Sequence, residues 1–480
     1  MVVFKIAQHV LALSLAISFV SGASVSQNIE WPRDIAGSIH TPEWPGFMNK
    51  TTRWSTHRAP SFDWVFIPKS EKHLSIGSGG HGYSVTLDTV QDAVMINMEK
   101  FKYAKMNSDK TVTMGSGASF QDLAVAVGGA GRELTIGSCP CVGATGAMLG
   151  GGVGRLQGKH GLTSDAVQKI RMALWNGTIV EASPQSNADL FWGVRGGGQN
   201  FGTVIETTLK TFPQSNGGLH YMADMIFSGD SLESLVDVMN GLFPVDPALS
   251  LVIIIAIDAK LQKPIVAINL VYAGPKEDGE RYTQRFAPFA NSSTESMVPW
   301  VDLGYSAAGG AVALKCETGQ SHNMYGSITK TLSPPTIREL FDSFSSFAAG
   351  NPALVNSTIL LEIFGLDGIE EHPANFSAFP HRGTLNNLVE IEMAYTDSTV
   401  ADSADAWARG WRDTISSPKV SGYDRLVEYQ NYAHGDEPLS ALYGYEQWRH
   451  ERLTALKRSY DPHGFFDGYH AIPREIAAWS

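Results

Sequence analysis

The chain has 480 residues, of which 43% are hydrophobic and 18% are charged, so we predict a globular protein of two or three domains. Its formal net charge of −12, with no compensating run of Lys or Arg, disfavours nucleic acid as a partner and favours a small molecule. The three cysteines leave at least one thiol without a disulfide partner.

Residues 1–23 have the pattern of a secretory signal peptide. Lys5 precedes an apolar stretch over Val10–Val20, and small residues follow at Ser21 and Ala23. An anchoring helix is the alternative, but it needs about 18 apolar residues and this stretch is shorter. We therefore expect cleavage near Ala23, a secreted protein and no membrane anchor. Five Asn-x-Ser/Thr sites suit a secreted glycoprotein: Asn49, Asn176, Asn291, Asn356 and Asn375.

Between Pro60 and Pro213 glycine is frequent and short apolar runs alternate with turns. The loop "GSGGHGYS" at 77–84 surrounds a single imidazole, His81, with glycines that let the main chain approach a ligand closely. Asn176 and Gly177 predict a hairpin turn. Period-2 alternation predicts strands in "DWVFIPK", "AVMINME", "TVTMGSGASF", "QKIRMALWNGTIVEAS" and "FGTVIETTLKTF".

The densest glycine run, "GSCPCVGATGAMLGGGVGRLQGKHGLTSD", spans 137–165. It is not a P-loop, because His160 follows Lys159 where Ser or Thr is required. It also lacks the strand-to-helix context and the downstream acid of the dinucleotide fingerprint. Its backbone amides can still cradle a pyrophosphate, so we predict a nucleotide-like ligand without a standard nucleotide fold.

From about Gly217 to Val420 the pattern predicts an α+β domain with one sheet covered by helices. The predicted strands are "SLVIIIAID", "PIVAINLVYAG", "STILLEIFGL" and "NNLVEIEMAYTD", and the predicted helices are "SLESLVDVMNGLF", "TIRELFDSFSSFAAG" and "VADSADAWARGWRDTIS". A last helix, "YEQWRHERLTALKRSY", ends before the turn "DPHG".

Five motifs carry a resemblance to a known family, in this order: "GSGGHGYS", "GSGASFQDL", the glycine run at 137–165, "NADLFWGVRGGGQNFGTV" and "NYAHGDE…DPHGFF". The chain resembles the berberine-bridge-enzyme-like FAD-linked oxidoreductases of the vanillyl-alcohol-oxidase/PCMH-type superfamily, in particular fungal secreted members of secondary metabolism. The resemblance covers nearly all of the mature chain and is weakest in the substrate domain. It implies an α+β, two-lobed PCMH-type FAD-binding domain over 24–213, a substrate domain over 214–422 and a C-terminal segment over 423–480 that returns to the FAD domain.

The resemblance implies covalently bound FAD, attached to His81 through the flavin 8α-methyl and to Cys139 through C6. Cys141 then stays free or, as the second option, pairs with Cys316. Val142 corresponds to a gate beside the flavin, where valine accompanies reactivity with oxygen and leucine obstructs it. The other residues implied to contact the cofactor are Gly79, Gly80, Gly82, Ser84, Gly143, Gly146, Gly150, Gly151, Gly152 and Asn431.

The function implied is an oxidase that passes a hydride from a small organic substrate, such as an alcohol, sugar or secondary metabolite, to the flavin, which O2 reoxidises to give H2O2. A monomer with these small-molecule partners is expected. Three alternatives stay open: a redox-inactive secreted binding protein on the same scaffold, a flavin-dependent dehydrogenase and an oxidative cyclase.

Two residues are candidates for the catalytic base. Alternation places Leu388, Glu390 and Glu392 on one face of a strand, and the resemblance places Glu390 toward the substrate; the alternative is that both glutamates are solvated. Tyr429 and Asn431 form the "Y-x-N" element of the family. Tyr429 needs a neighbour that lowers its pKa from about 10, or a nearby Glu that accepts its proton.

One departure from the family lies directly before His81. Only "KSEKHL" separates the strand "DWVFIP" from the loop "SIGSGGHG", where the family has a full crossover helix. Parallel strands need a crossover of at least about ten residues, so this unit cannot close in the usual way. Either the chain has rearranged locally or the sequence is a shortened variant with a misplaced tether.

Overall fold

The computed structural model describes residues 31, 33–70, 82–258 and 263–479. The predicted signal peptide and the cofactor residues Gly79, Gly80 and His81 lie outside the described residues. Seventeen strands form four sheets in the described part of the chain. The α+β fold class predicted from the sequence is confirmed.

The N-terminal half of the chain contributes two of the larger sheets and a small ribbon. A three-stranded sheet has the order β1-β2-β3, and a five-stranded sheet has the order β4-β5-β9-β7-β8. Their strands are β1 (Ile39–His40), β2 (Phe62–Phe66), β3 (Ala93–Ile96), β4 (Ala104–Met106), β5 (Thr111–Gly115), β7 (Val167–Ala173), β8 (Ile179–Ala182) and β9 (Thr203–Lys210). The ribbon pairs β6 (Arg132–Glu133) with β10 (Phe212–Pro213). Strands β7 and β8 form the predicted antiparallel hairpin, and Gly177 has the positive φ of 77° that such a turn uses.

The parallel partner of β2 is β3, so a parallel unit does close in this region. The connection between them, residues 67–92, meets the length that a crossover requires. The shortened segment expected to prevent closure falls mostly on 71–81, outside the described residues. The β2–β3 pairing does not test the unit between "DWVFIP" and "SIGSGGHG", so the local rearrangement and the shortened variant both stay predictions.

A seven-stranded antiparallel sheet dominates the second half of the chain, with the order β14-β11-β13-β12-β16-β17-β15. Its strands are β11 (Leu219–Phe227), β12 (Leu249–Asp258), β13 (Lys263–Tyr272), β14 (Ala290–Pro299), β15 (Ser321–Thr329), β16 (Thr358–Phe364) and β17 (Asn387–Tyr395). All four strands predicted for this region from alternation are present.

The helices predicted from periodicity are also present, within a few residues of the expected ends. The helices of eight or more residues are α3 (Phe120–Gly128), α7 (Leu232–Asn240), α8 (Lys276–Phe286), α11 (Pro334–Gly350), α13 (Ala401–Ser416) and α16 (Gln447–Tyr460). The short ones are α1 (Arg33–Ala36), α2 (Phe47–Thr51), α4 (Ala144–Leu149), α5 (Gln157–His160), α6 (Ala188–Gly193), α9 (Leu303–Ser306), α10 (Ala311–Leu314), α12 (Asp367–Glu370), α14 (Pro418–Ser421) and α15 (Leu439–Tyr443). Within the described ranges, no helix combines the length and hydropathy needed to cross a bilayer.

The two faces of the seven-stranded sheet differ because side chains alternate along each strand. One face packs its apolar side chains on α7, α8, α11 and α13 in a single core that includes Val389, Ile391 and Met393 of β17. The other face carries the alternate positions of the same strands. Glu362 of β16 lies opposite Leu388, and Glu390 lies between Leu360 and Gly326 of the neighbouring strands. This second face, the polar sheet face, turns toward the glycine-rich half of the chain.

A capping box fixes the start of α3 beside the glycine run. Ser119 Oγ accepts a hydrogen bond from the Asp122 amide, the Asp122 carboxylate accepts one from the Ser119 amide, and Ser119 also bridges to Gly143. Replacing Ser119 with Ala should lower the free energy of unfolding by about 0.5–2 kcal/mol, since an orphan amide loses its acceptor. Urea unfolding measures the change. Ser346→Ala, at an exposed site inside α11, is the control and should change stability by less than about 0.5 kcal/mol; an equal loss in both variants would contradict the capping role.

Candidate active site

Three segments from other parts of the chain meet the polar sheet face. Arg155, from the glycine run, donates from Nη2 to Asn269 Oδ1 of β13 at 2.7 Å and from Nη1 to Ser250 Oγ of β12 at 3.2 Å. The ring of Trp54 stacks on His322 of β15 with 3.8 Å between ring centroids. Tyr432 donates from Oη to Glu362 Oε2 at 2.9 Å. The candidate site is the space in which these segments and the sheet converge.

The "Y-x-N" element lies directly against the second half of the glycine run. The Tyr429 hydroxyl oxygen accepts hydrogen bonds from the amides of Gly152 at 3.1 Å and Val153 at 3.2 Å, and from Asn431 Nδ2 at 2.7 Å. Burial raises the pKa of Tyr429, and these hydrogen bonds oppose that rise. The neighbour that lowers the pKa below its usual range, expected from the sequence, is therefore absent from the described residues.

Two of the predicted cofactor glycines are needed for the chain's own packing in this region. A Cβ at Gly150 would lie 2.0 Å from Asn431 Oδ1, and a Cβ at Gly151 would lie 2.8 Å from the Phe379 ring. Gly151 and Gly152 also have φ of 128° and 81°, which L side chains rarely adopt. Glycine therefore lets the run pass close to the segment that holds Tyr429 and Asn431.

The end of the "GSGGHGYS" loop contacts the same C-terminal segment. Gly82 O accepts a hydrogen bond from Arg53 Nη2 at 2.9 Å, and the Tyr83 hydroxyl donates to the backbone oxygen of Asn431. Ser84 Oγ accepts from the Thr86 amide and caps the short helix that follows. The described part of the loop, residues 82–84, therefore contacts Asn431. His81 is the residue immediately before Gly82 in the sequence.

The glycines earlier in the run have free space where a side chain would lie. A Cβ at Gly143 would have no atom within 4 Å, and one at Gly146 would meet only Gln199 at 4.0 Å. Thr145 Oγ1, between these two glycines, is buried without a hydrogen-bond partner in the described chain. The same holds for Ser116 Oγ, three residues before Ser119, which bridges to Gly143. Unpaired hydroxyls next to open glycines form a donor set that suits phosphate oxygens, so these residues fit the FAD that the sequence resemblance implies.

Both glutamates of β17 are buried, so the alternative that they are solvated is wrong. Glu390 and Glu392 are 6% and 4% exposed. Burial, together with the neighbouring carboxylates Glu362 and Glu392, holds the pKa of Glu390 well above its usual range. Burial likewise raises the pKa of Glu362 to about 7. The two groups provide a protonatable carboxyl pair beneath the candidate site.

Glu392, by contrast, is tied into an ion pair. Its Oε2 lies 2.6 Å from Lys315 Nζ and its Oε1 lies 2.7 Å from His322 Nδ1. Burial opposes ionisation, but Lys315 and the hydrogen bond from His322 hold the pKa at about 2. Glu392 therefore stays a carboxylate, and of the two residues on β17 Glu390 is the one able to exchange a proton.

A further carboxyl, Glu428, lies next to Tyr429 in the chain and is fully buried. Neither of its oxygens has a hydrogen-bond partner in the described residues, and Oε1 lies 2.3 Å from the position of a Cβ on Gly326. Burial and the nearby Glu437 hold its pKa well above the usual range. The buried environment of Glu428 therefore favours its protonated form.

The cysteine pairing corrects the preferred prediction. Cys141 forms a disulfide with Cys316, and Cys139 is the free cysteine. The pairing that the sequence ranked second is the one observed, since the loop after α10 brings Cys316 against the glycine run. Val142 is half-buried beside this disulfide, and its backbone oxygen accepts from the Phe120 amide.

Several residues of this site were not predicted from the sequence. Glu362 shares the period-2 alternation of its strand "STILLEIFGL", so the argument used for Glu390 could have found it. Lys315, His322 and Glu428 lie in no motif, and Arg155 lies in the glycine run at a position to which the motif assigns no role. Only the pairing of the sheet and the docking of the C-terminal segment bring them together.

Comparisons with known proteins agree with this architecture. A family model described as an FAD binding domain matches residues 64–183. The chain is 30% identical over 456 residues to the FAD-linked oxidoreductase srdI of Neurospora crassa, covering 91% of this chain and 89% of the relative. It is 30% identical over 470 residues to the FAD-linked oxidoreductase OXR1 of Pyricularia oryzae, covering 94% and 91%.

Solved structures share the fold at lower identity. A chitooligosaccharide oxidase superposes with a TM-score of 0.77 at 20% identity, covering 90% of this chain and 96% of its own. A glucooligosaccharide oxidase from Acremonium strictum, which carries 6-S-cysteinyl, 8α-N1-histidyl FAD, superposes with a TM-score of 0.73 at 19% identity over 90% and 96% of the two chains.

Proposed function

Because the chain belongs to the FAD-linked oxidoreductases, we propose that it is a secreted oxidase of a small organic substrate such as an alcohol, sugar or secondary metabolite. The observation that carries the proposal is the Tyr429 hydroxyl. It accepts hydrogen bonds from two glycine-run amides and from Asn431, and it lies beside buried carboxyls of the polar sheet face.

The cofactor is FAD, and we propose that His81 and Cys139 attach it covalently. Gly143, Gly146, Thr145 and Ser116 are the residues placed to hold it along the glycine run. Bound FAD supplies the two-electron acceptor for a substrate hydride, and its reoxidation by O2 yields H2O2. The similarity to an oxidase with histidyl and cysteinyl FAD supports both tethers.

Side chains of this protein accept and transfer the proton that the substrate loses. As a substrate C–H bond loses its hydride, the adjacent O–H must lose its proton, and in this proposal Tyr429 Oη accepts it after giving up its own phenolic proton. The three N–H groups directed at that oxygen favour its ionised form, as in an oxyanion hole. Glu362 then takes the proton, because its pKa of about 7 leaves part of it ionised near neutral pH. The pKa of Glu390 is held well above its usual range, which favours the protonated form and makes Glu390 the weaker acceptor.

Three finer assignments belong to the same proposal. Val142 beside the cofactor favours O2 as the acceptor and so an oxidase over a dehydrogenase. All five glycosylation sites are exposed, which suits a secreted glycoprotein. The third assignment is the division into an FAD domain over 24–213, a substrate domain over 214–422 and a returning segment over 423–480. It is supported for the middle domain by the seven-stranded sheet, whose strands run from Leu219 to Tyr395.

Flavin retention after acid denaturation tests this function. The secreted protein should keep yellow flavin in the acid-precipitated pellet. His81→Ala and Cys139→Ala should each weaken retention and the double variant should lose it, because each removes one covalent bond. His463→Ala, at an exposed histidine of the C-terminal segment, is the control and should retain flavin as the parent does. A screen of alcohols and sugars by H2O2 release then identifies the substrate.

Other outcomes of this experiment would contradict parts of the proposal. Flavin found only in the supernatant would mean noncovalent binding. No flavin in either fraction would favour the redox-inactive binding protein and would point to the shortened segment before His81. Retained flavin that a substrate reduces without H2O2 release would favour the dehydrogenase, and a product with a new ring would favour the oxidative cyclase.

A further inference from the structure

The three cysteines of the chain form one sulfur cluster. Cys141 and Cys316 are joined by a disulfide although 175 residues separate them. The free Cys139 Sγ lies 3.4 Å from Cys141 Sγ, and all three sulfurs lie within 4.8 Å of one another. A free thiol in van der Waals contact with a disulfide sulfur is the arrangement from which thiol–disulfide exchange begins.

The surroundings explain why the sulfurs meet. Cys139 and Cys141 flank Pro140 in the glycine run, so both project from the same short loop. Cys316 follows Lys315, whose Nζ binds Glu392 of β17 and whose backbone oxygen accepts from Trp54 Nε1 at 2.7 Å. These contacts hold the loop after α10 on β17 and on the segment of Trp54, and the disulfide joins it to the glycine run. The disulfide is therefore a covalent connection between the cofactor-binding run and the sheet that forms the floor of the site.

We propose that Cys139 and the Cys141–Cys316 disulfide form an exchange site with two disulfide isomers. The Cys139 thiolate attacks Cys141 Sγ, the Cys139–Cys141 bond forms, the Cys141–Cys316 bond breaks, and Cys316 leaves as a thiolate that takes up the proton lost by Cys139. The numbers of thiols and disulfides are unchanged, so the step needs no oxidant or reductant. It concerns this chain's cysteines and does not require the proposed oxidase activity.

The two isomers differ in what Cys139 can do. With Cys141 bound to Cys316, Cys139 is a thiol and is available for attachment to flavin. With Cys139 bound to Cys141, attachment is blocked. Cys316 is thus a positioning residue. Because it forms the disulfide with Cys141, Cys139 remains a thiol that can attach to flavin. Burial, with a further contribution from Glu392 and Glu390, raises the pKa of Cys139, which keeps the thiolate scarce and the exchange slow.

The Cys316→Ser variant tests the proposal because it leaves Cys141 without its partner. Purified in the presence of oxidised glutathione, Cys141 forms a mixed disulfide and releases one glutathione. Cys139 should then displace the second glutathione and form the Cys139–Cys141 disulfide. After alkylation and digestion without reduction, the peptide that contains both residues should be lighter by two hydrogens and carry neither glutathione nor flavin.

Two double variants provide the controls. In Cys139→Ser/Cys316→Ser the glutathione should stay on Cys141, because the attacking thiol is absent. In Cys141→Ser/Cys316→Ser the same native disulfide is missing, but Cys139 has no local partner and should remain a thiol or carry flavin. This second variant separates the effect of exchange from a general loss of folding, which far-ultraviolet circular dichroism also monitors.

Several results would overturn the proposal. In Cys316→Ser, a glutathione retained on Cys141 beside a free or flavin-bearing Cys139 would show that exchange does not occur. In the parent chain, a free Cys316 or Cys141 in place of their disulfide would remove the starting isomer. If instead Cys139 carries no flavin in any variant while the disulfides form as expected, the proposed tether fails and the exchange site stands.

Discussion

Replacing Tyr429 with Phe is expected to slow substrate oxidation by about 10²–10⁴-fold, the contribution typical of a positioned general base. The change removes the only atom that can accept the substrate proton at the point where the amides of Gly152 and Val153 converge. The ring stays, so the packing of Tyr429 against Phe379 is retained. Stopped-flow reduction of the bound flavin measures the rate without interference from the O2 reaction.

Phe variants of two further tyrosines are the controls for this prediction. Tyr445→Phe removes a hydroxyl that donates to the Leu426 backbone oxygen and should leave the rate unchanged. Tyr432→Phe removes the hydrogen bond to Glu362 and should have a smaller effect than Tyr429→Phe, because Glu362 then loses a partner but the base remains. A Tyr429→Phe enzyme slowed by less than tenfold, or a larger loss in Tyr432→Phe, would show that Tyr429 is not the base.

Replacing Glu428 with Gln is expected to change how stability depends on pH. The folded-state pKa of Glu428 is raised well above the unfolded value of 4.5, so between these two values the native state binds more protons than the unfolded state. The free energy of unfolding therefore falls as pH rises above about 4.5, by up to about 1.4 kcal/mol per pH unit. Glu428→Gln should remove this contribution to the slope.

Urea unfolding at a series of pH values from 3 to 9 measures the slope on both sides of pH 4.5. The slope does not depend on the absolute cost of burying an amide. Glu437→Gln is a matched comparison of opposite sign. Glu437 accepts from the amides of His434 and Gly435, and these bonds with Arg412 lower its pKa, so its stabilising contribution is present above pH 4.5 and is lost as pH falls. An unchanged slope in Glu428→Gln would mean that the carboxyl ionises in the fold.

Local sequence determined the elements of this protein. The apolar periodicity of α7, α11, α13 and α16 and the alternation in β17 are properties of consecutive residues, so they predicted helices, strands and the shared face of Leu388, Glu390 and Glu392. The ordered glycine and cysteine motifs carried the resemblance that implied FAD and the family, whereas the glycine run by itself indicated only close backbone approach to a nucleotide-like ligand.

The tertiary structure decided the burial, pKa and pairing of individual side chains. Whether Glu390 is solvated or buried depends on what covers the polar sheet face, and segments from Trp54, Arg155 and Tyr432 cover it. The Cys141–Cys316 pairing and the isolation of Glu428 likewise depend on contacts between residues far apart in the chain. Sequence specifies local periodicity, whereas pKa values and sulfur pairing depend on distances that exist only after the sheet and the glycine run have packed together.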